Sequence, residues 1–176
     1  GGIPIPVEIG NDNLIDPDAI EAAITSRTVG IMPTQLNGRT CDMQRIMEIA
    51  NKYKLYVVED AAQSLGSKFK GKNAGTFGNA SAISFFPAKV LGCFGDGGAI
   101  LCQDENIYDR SYQLHDHGRD KYGNVKSWGR NSRLDNFQAA ILNFNLKSYE
   151  SVIQRRREIA LRYHSRLSDL EELKLP

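Results

Sequence analysis

The stretch Leu-Tyr-Val-Val-Glu-Asp-Ala-Ala-Gln, residues 55–63, decides the fold. Its first four residues are apolar or aromatic, which predicts a buried strand, and the strand ends in Glu59-Asp60. In open α/β sheets, ligands bind just beyond the carboxyl ends of the strands. A carboxylate there is well placed to pair with a cationic cofactor nitrogen. The alternative for a lone aspartate so placed is a helix N-cap.

Strands and helices alternate around this stretch. Before it, the pattern predicts a strand at 3–9, a helix opened by Asp16-Pro17, a strand at 29–33 and a helix at about 42–53. After it come a glycine-rich region at 66–98 broken by one strand at 80–86, a strand at 99–102, and a helix from Asp104 to about 114. This alternation predicts an α/β layered fold.

The last third of the sequence is helical after a polar loop at 115–130. Ser132-Arg133-Leu134-Asp135 matches a capping box, and the apolar spacing beyond it predicts an amphipathic helix. A long final helix follows, with Arg155, Arg156 and Arg157 expected on its solvated face.

Composition excludes several classes of partner. The chain has 176 residues and a formal net charge of +1, which gives no electrostatic basis for a nucleic-acid or anionic-membrane partner. No apolar run is long enough to span a bilayer, and the first residues do not match a signal peptide.

Three cysteines without a CxxC pair indicate free thiols, so a cytoplasmic location is expected. The missing initiator Met favours a processed start or a fragment.

Lys89 is the strongest candidate for a nucleophile. It ends the run Ser84-Phe85-Phe86-Pro87-Ala88-Lys89, and a glycine-rich segment, Gly92–Gly98, follows it. A lysine partly desolvated beside such a segment becomes nucleophilic, and Ser84 offers a hydroxyl to a phosphate. The glycines allow close backbone approach, either past a bound ligand or simply within an irregular loop. Taken alone, Lys89 is more often a surface lysine.

Two other patterns suggest chemistry but lack essential parts. Gly66 to Lys72 has the spacing GxxxxGK of a phosphate-binding loop, yet Asn73 follows where a Ser or Thr hydroxyl would bind magnesium. His115 and His117 have no third ligand at a defined spacing, so no metal site is predicted.

These motifs together resemble the DegT-type family of pyridoxal-phosphate (PLP) nucleotide-sugar aminotransferases. The resemblance covers nearly the whole chain. It is carried by the segments Glu59–Ser64, Ser84–Lys89 with Gly95–Gly98, and Asn131–Asp135 with Gln138–Ala140. It implies the large domain of PLP fold type I, a three-layer α/β/α arrangement with a mostly parallel sheet, here expected to be incomplete at both ends.

The resemblance also implies roles for individual residues. Lys89 would form the internal aldimine and then act as proton shuttle, and Asp60 would hold the pyridine nitrogen protonated. Gln63 would lie near the ring, and Ser84 would bind the phosphate. Asn131 would reach the phosphate across a homodimer interface, so active sites would be shared. Family dehydratases carry histidine at the Lys89 position, which favours amino transfer here.

The implied substrates are L-glutamate and a nucleotide-linked keto sugar, in amino-sugar synthesis for surface polysaccharides. The run Phe85–Gly98 looks most similar to members acting on 3-keto sugars of UDP-linked N-acetylglucosaminuronic acid. There Arg133 would bind the sugar carboxylate through a bidentate fork. A helix-start or interface arginine is an equal alternative.

The resemblance implies that the family's N-terminal segment and most of its small domain are not included in these 176 residues. The expected division is residues 1–147 as the central part of the PLP-binding domain and residues 148–176 as a long helix leading into a truncated small domain. A catalytically incomplete fragment, acting only as a folded or dimerising core, is the alternative function.

Overall fold

The computed structural model describes residues 1–173 and residue 175. The strands are, in chain order, β1 (Gly30–Ile31), β2 (Tyr56–Asp60), β3 (Lys68–Phe69), β4 (Lys72–Asn73), β5 (Ala80–Ser84) and β6 (Gly98–Cys102). The helices are α1 (Pro17–Ala23), α2 (Met43–Tyr53), α3 (Glu105–His115), α4 (Asn136–Leu146) and α5 (Tyr149–Leu167), and a 3-10 turn spans Leu36–Gly38.

The central sheet has the strand order β1-β2-β5-β6. The pairings of β1 with β2 and of β2 with β5 are parallel, whereas β6 runs antiparallel to β5. The α/β class and the mostly parallel sheet predicted from the sequence are therefore confirmed. Because β2 and β5 are parallel neighbours, their carboxyl ends lie side by side at one edge of the sheet.

Helices α1 and α2 cover one face of this sheet. Asp16 caps α1 by accepting the amide of Asp18, and Asp42 caps α2 by accepting the amide of Arg45, as their residue types favour. The core beneath them joins apolar side chains of both helices to β1 and β2: Ile20, Ile31, Met43, Ile46, Ile49, Ala50 and Val57. Burial of this amphipathic stripe is what holds the helices on the sheet.

The opposite face of the sheet is more open. Side chains alternate along a strand, so Val57 and Glu59 face the helices while Val58 and Asp60 face the other way. Val58 on β2 and Ile100 on β6 are exposed on that second face. Asp60 is thus delivered to the open face at the carboxyl edge of β2.

Two local predictions were wrong. Residues 3–9 form no strand, because Pro4 and Pro6 lack the amide hydrogens a ladder needs, and a single bridge joins Ile9 to Ile15. Helix α4 begins at Asn136 with Asp135 as its N-cap, so Ser132 opens no capping box.

The region 66–98 contains a hairpin, β3–β4, in addition to the one strand that was predicted there. Its turn residues Lys70 and Gly71 have φ angles of 48° and 83°, the left-handed conformation that a two-residue hairpin turn requires. The Gly66–Lys72 segment is therefore part of a hairpin. A phosphate-binding loop would instead connect a strand to a helix.

The last helix begins where the second predicted unit was placed. Ile153 of α5 is buried, and the Arg157 guanidinium donates to the carbonyl of Gly66 at 3.2 Å, so α5 packs against the segment that follows β2. Residues 174 and 176 of the predicted unit 148–176 lie outside the described residues. The boundary at residue 147 stays a prediction.

Candidate active site

Asp60 ends β2 and is held firmly by its backbone. Its amide donates to the carbonyl of Pro33 at 2.9 Å, and its carbonyl accepts the amide of Gln35 at 2.9 Å. One carboxylate oxygen, Oδ1, accepts the amide of Ala62 at 3.1 Å. Within residues 1–173 and 175, the other oxygen has no hydrogen-bond donor. The half-buried carboxylate therefore has an acceptor available to a ligand on the open face.

Gln63 lies three residues further on, in the turn that leaves the strand. Its side-chain oxygen accepts the amide of Asn37 at 3.2 Å, and its carbonyl accepts the amide of Gly38 at 2.9 Å. Asn37 has a left-handed φ of 55°, which turns its amide toward the glutamine. Because the side-chain oxygen is engaged, the side-chain nitrogen is the group that Gln63 offers to a ligand.

Ser84 lies on the same face of the sheet as Asp60. Asp60 pairs with Ala82 on β5, and Ser84 is two residues beyond Ala82, roughly 7 Å along the strand. The Ser84 hydroxyl oxygen accepts the amide of Phe86 at 3.3 Å, which leaves its hydrogen free to donate. A carboxylate and a hydroxyl donor are thus fixed on adjacent strand ends.

Lys89 follows in the turn beyond β5. Its amide donates to the carbonyl of Phe86 at 2.9 Å, and the residue is half-buried. It lines a cavity of about 240 Å³ together with Asn145, Ser148 and Tyr149. No carboxylate among the described residues forms an ion pair with its amine. The amine is therefore not committed to a structural partner.

The glycine-rich segment packs closely against the protein itself. A Cβ on Gly92 would lie 2.7 Å from the carbonyl oxygen of Pro87, and one on Gly98 would lie 2.7 Å from that of Ile83. These glycines allow the chain to double back under the Lys89 turn. The sequence leaves open whether these glycines allow approach to a ligand or simply form an irregular loop, and the contacts in the structure are internal to the chain.

Two side chains of α4 that sequence reasoning did not assign as site residues tie this turn to the helix. Gln138 accepts the amide of Phe94 at 2.8 Å, and Asn145 donates to the carbonyl of Gly92 at 2.9 Å. Both are amides on a helix with apolar neighbours, which is the signal that could have indicated a backbone-binding role.

Asn131 and Arg133 lie in a separate cluster with Asp116. The Arg133 guanidinium donates to the side-chain oxygen of Asn131 at 3.3 Å and lies 3.3 Å from the Asp116 carboxylate. Asp116 and Asn131 also form an antiparallel bridge. The structure thus joins these two predicted residues to each other, and not through any described contact to Asp60, Ser84 or Lys89.

Other kinds of site were also considered. Among residues 1–173 and 175, no group of three or more His, Cys, Asp or Glu side chains is arranged to hold a metal ion. In the same part of the chain, no helix combines the length and apolarity needed to cross a membrane.

Comparisons of the sequence with known proteins found clear similarities. A model of the DegT/DnrJ/EryC1/StrS aminotransferase family matches residues 1–176. The chain is 41% identical over 178 residues to dTDP-3-amino-3,4,6-trideoxy-alpha-D-glucose transaminase of Streptomyces venezuelae, covering 100% of this chain and 47% of that protein. It is 43% identical over 164 residues to UDP-2-acetamido-2-deoxy-3-oxo-D-glucuronate aminotransferase of Pseudomonas aeruginosa, covering 93% and 46%.

A solved structure shows the same fold. The crystal structure of DesV from S. venezuelae in complex with a ketimine intermediate superposes with a TM-score of 0.89 at 42% identity, covering 95% of this chain and 45% of that chain. The chain therefore spans about half the length of the relatives that it matches.

Proposed function

The chain belongs to the DegT/DnrJ/EryC1/StrS aminotransferase family, and we propose that it forms the cofactor-binding core of a PLP-dependent transaminase acting on a nucleotide-linked keto sugar. The observation that carries this proposal is the placement of Asp60 and Ser84 on one face of the sheet, at the adjoining ends of β2 and β5. The lysine candidate, Lys89, lies in the turn that follows the carboxyl end of β5.

The polar atoms that remain open fit the parts of PLP one by one. The open oxygen of Asp60 suits a protonated ring nitrogen, and the hydroxyl hydrogen of Ser84 suits a phosphate oxygen. The side-chain nitrogen of Gln63 suits the ring hydroxyl. The uncommitted amine of Lys89 suits covalent attachment.

Each side chain would then have a distinct task. The Asp60 carboxylate would keep the ring nitrogen protonated. Its backbone is hydrogen-bonded to residues 33 and 35, so the carboxylate is held in place for this contact. The Lys89 amine would attach the cofactor and, once released, accept and return a proton. When bound, PLP supplies an electron sink for the negative charge that develops on the substrate carbon.

The experiment for this proposal is optical. Protein loaded with PLP is expected to show a visible absorbance that Lys89→Ala abolishes. Lys72→Ala is the matched control, because it removes another lysine of the glycine-rich region 66–98, on β4, and should leave the spectrum unchanged. An unaltered spectrum in the Lys89 variant would refute the lysine assignment. ATP binding that depends on Lys72 would instead support a phosphate-binding loop.

The substrate class is supported by the relatives, whose names describe dTDP- and UDP-linked sugars. We propose L-glutamate as the amino donor and synthesis of amino sugars for surface polysaccharides as the role. The test treats PLP-loaded protein with L-glutamate, then adds several nucleotide keto sugars and measures amino-sugar product by mass spectrometry. Failure with every keto sugar, in protein that does react with L-glutamate, would overturn the substrate class.

Arg133 remains a proposed contact for a sugar carboxylate. Its guanidinium is held by Asn131 and Asp116 yet half of its side chain is exposed, at 51%, so one edge is accessible. Arg133→Lys should raise KM for a uronic-acid substrate and leave KM for its neutral counterpart unchanged, since lysine cannot reproduce the bidentate fork. An equal effect on both substrates would indicate a structural arginine.

We further propose a homodimer in which Asn131 completes the partner's site. Large apolar side chains are exposed in the stretch 128–144 that includes Asn131: Trp128 at 96%, Phe137 at 67% and Phe144 at 71%. Such a set is typical of a surface that another chain covers. If sites are shared, mixing inactive Lys89→Ala and Asn131→Ala proteins should restore about one quarter of wild-type activity, because half of the random dimers carry one intact site. Absence of restoration would contradict sharing.

The alternative proposal is a core that folds or dimerises without catalysis. It rests on the roughly half-length match to the relatives, 47% and 46%. Titration of PLP against these 176 residues and against a longer version separates the two proposals. Tight binding by the short chain would contradict an inert core.

The free cysteines Cys41, Cys93 and Cys102 support a cytoplasmic location.

A further inference from the structure

Glu59, the residue before Asp60, is a carboxylate buried on the helix-covered side of the sheet. Its relative exposure is 0%. Oε1 accepts the amides of Phe77 at 2.6 Å and Gly78 at 2.9 Å, and Oε2 accepts the amide of Gly75 at 2.7 Å. The side-chain nitrogen of Gln35 donates to Oε2 at 2.9 Å. Four donors thus converge on one side chain that makes no contact with the proposed cofactor face.

The Gln35 branch of this network leads back to Asp60. Gln35 is itself fully buried, and its side-chain oxygen accepts the amide of Cys41 at 2.7 Å. Its backbone amide donates to the carbonyl of Asp60. Fixing the Gln35 side chain on Glu59 therefore also fixes the segment that holds the backbone of Asp60.

The other branch leads to β5. Residues 75–78 form the loop that enters this strand, and Ser81 on β5 donates its hydroxyl hydrogen to the carbonyl of Gly75 at 2.7 Å. Asn79 accepts the amide of Val57 at 2.8 Å, which ties the same loop to β2. The register of β5 against β2 sets where Ser84 lies relative to Asp60.

From these contacts we infer that Glu59 is a positioning residue, which locks the Gln35 segment and the 75–78 loop together and so fixes the spacing between Asp60 and Ser84. The inference rests on the proposed function, because Asp60 and Ser84 are its proposed cofactor contacts. Glu59 acts through these residues and does not touch the ligand. A displacement of about 1 Å in such a site can cost about 10²-fold in rate.

The test uses Glu59→Gln in the PLP-loaded protein, with Glu48→Gln as the control. Glu48 is an exposed carboxylate on α2 that undergoes the same chemical change. We expect the Glu59 variant to bind PLP at least about tenfold more weakly and to shift the pH midpoint of the visible absorbance. The amide hydrogens of residues 75, 77 and 78 should also exchange faster in that variant without cofactor.

The outcomes separate this inference from the proposed function. A wild-type protein without Lys89-dependent absorbance refutes the function, and the inference with it. If wild type absorbs normally and folded Glu59→Gln keeps its PLP affinity and pH midpoint, the positioning role alone is overturned, even where stability has fallen. If Glu59→Gln does not fold, Gln35→Met decides. It removes the side-chain donor to Glu59 and the acceptor of the Cys41 amide. An unchanged PLP affinity and pH midpoint in that variant also overturn the inference.

Discussion

Replacing Glu59 by glutamine should lower the free energy of unfolding by about 2–6 kcal/mol. The carboxylate has four donors, two on each oxygen. A glutamine keeps one oxygen and places an NH₂ group where the other was, so two buried donors lose their acceptor. Each buried unsatisfied donor costs about 1–3 kcal/mol, and two of them give the expected range.

Rotation of a neighbouring side chain does not remove this cost. Suppose that the new amide nitrogen takes the place of Oε2. Gln35 can then turn its own oxygen toward this nitrogen, but the amide of Cys41 loses the acceptor that it has at 2.7 Å. The unsatisfied donor moves from one buried atom to another, and the amide of Gly75 remains unpaired. The reverse orientation leaves Phe77 and Gly78 without an acceptor.

The measurement is urea denaturation of wild type, Glu59→Gln and Glu48→Gln. The exposed Glu48 accepts one bond from Gln44 at 3.0 Å, so its variant should stay within about 0.5 kcal/mol of wild type. With unchanged m-values, the difference in midpoints gives the loss in free energy. A loss below about 1 kcal/mol for Glu59→Gln would refute the reasoning that all four bonds are made in the folded protein.

Three further predictions concern stability. Met43→Ala should cost about 2–5 kcal/mol in the same urea assay, because Met43 is fully buried and leaves a cavity under α2; a smaller loss would contradict that packing. Burial raises the pKa of the Cys41 thiol from 9.0 to about 11. The stability that the neutral, buried thiol contributes is therefore fully present below pH 9. It is lost as pH rises toward 11, by about 1.4 kcal/mol of unfolding free energy per pH unit. Cys41→Ala should remove this part of the pH dependence, and equal curves would count against it. Gly75→Ala should destabilise the protein more than Gly71→Ala. Both glycines have positive φ, but a Cβ on Gly75 would lie 3.2 Å from the Ala61 side chain, whereas one on Gly71 would meet no atom within 4 Å. Equal melting temperatures of the two variants would argue against the close packing at Gly75.

Several elements could be predicted because their signals are local. Asp16-Pro17 and Asp42 mark helix starts through their own side chains and dihedral angles, and α1 and α2 begin where these signals place them. The apolar run before Glu59-Asp60 indicated a strand with its acidic residues at the carboxyl end, and β2 ends at Asp60.

Other elements could not be predicted because their signals conflict or are weak. The apolar residues at 3, 5, 7 and 9 have a strand's alternation, but Pro4 and Pro6 prevent ladder pairing there. The two-residue strands of the β3–β4 hairpin are too short for periodicity to show. At Ser132, the capping-box pattern is present, yet the preceding bridge of Asn131 with Asp116 keeps the chain extended past it.

The sequence by itself determined the class of fold, the starts of the first helices and the motifs that contain the candidate residues Asp60, Gln63, Ser84 and Lys89. The fold class and the helix starts depend on side-chain type and on periodicity along one segment, whereas the roles of the four candidate residues are implied by the family resemblance. Only the tertiary structure decided that Asp60 and Ser84 share a face, because that follows from strand register between segments about 20 residues apart. It alone also showed that Glu59 gathers four distant donors, since a buried acid is stable only where other segments bring partners to it.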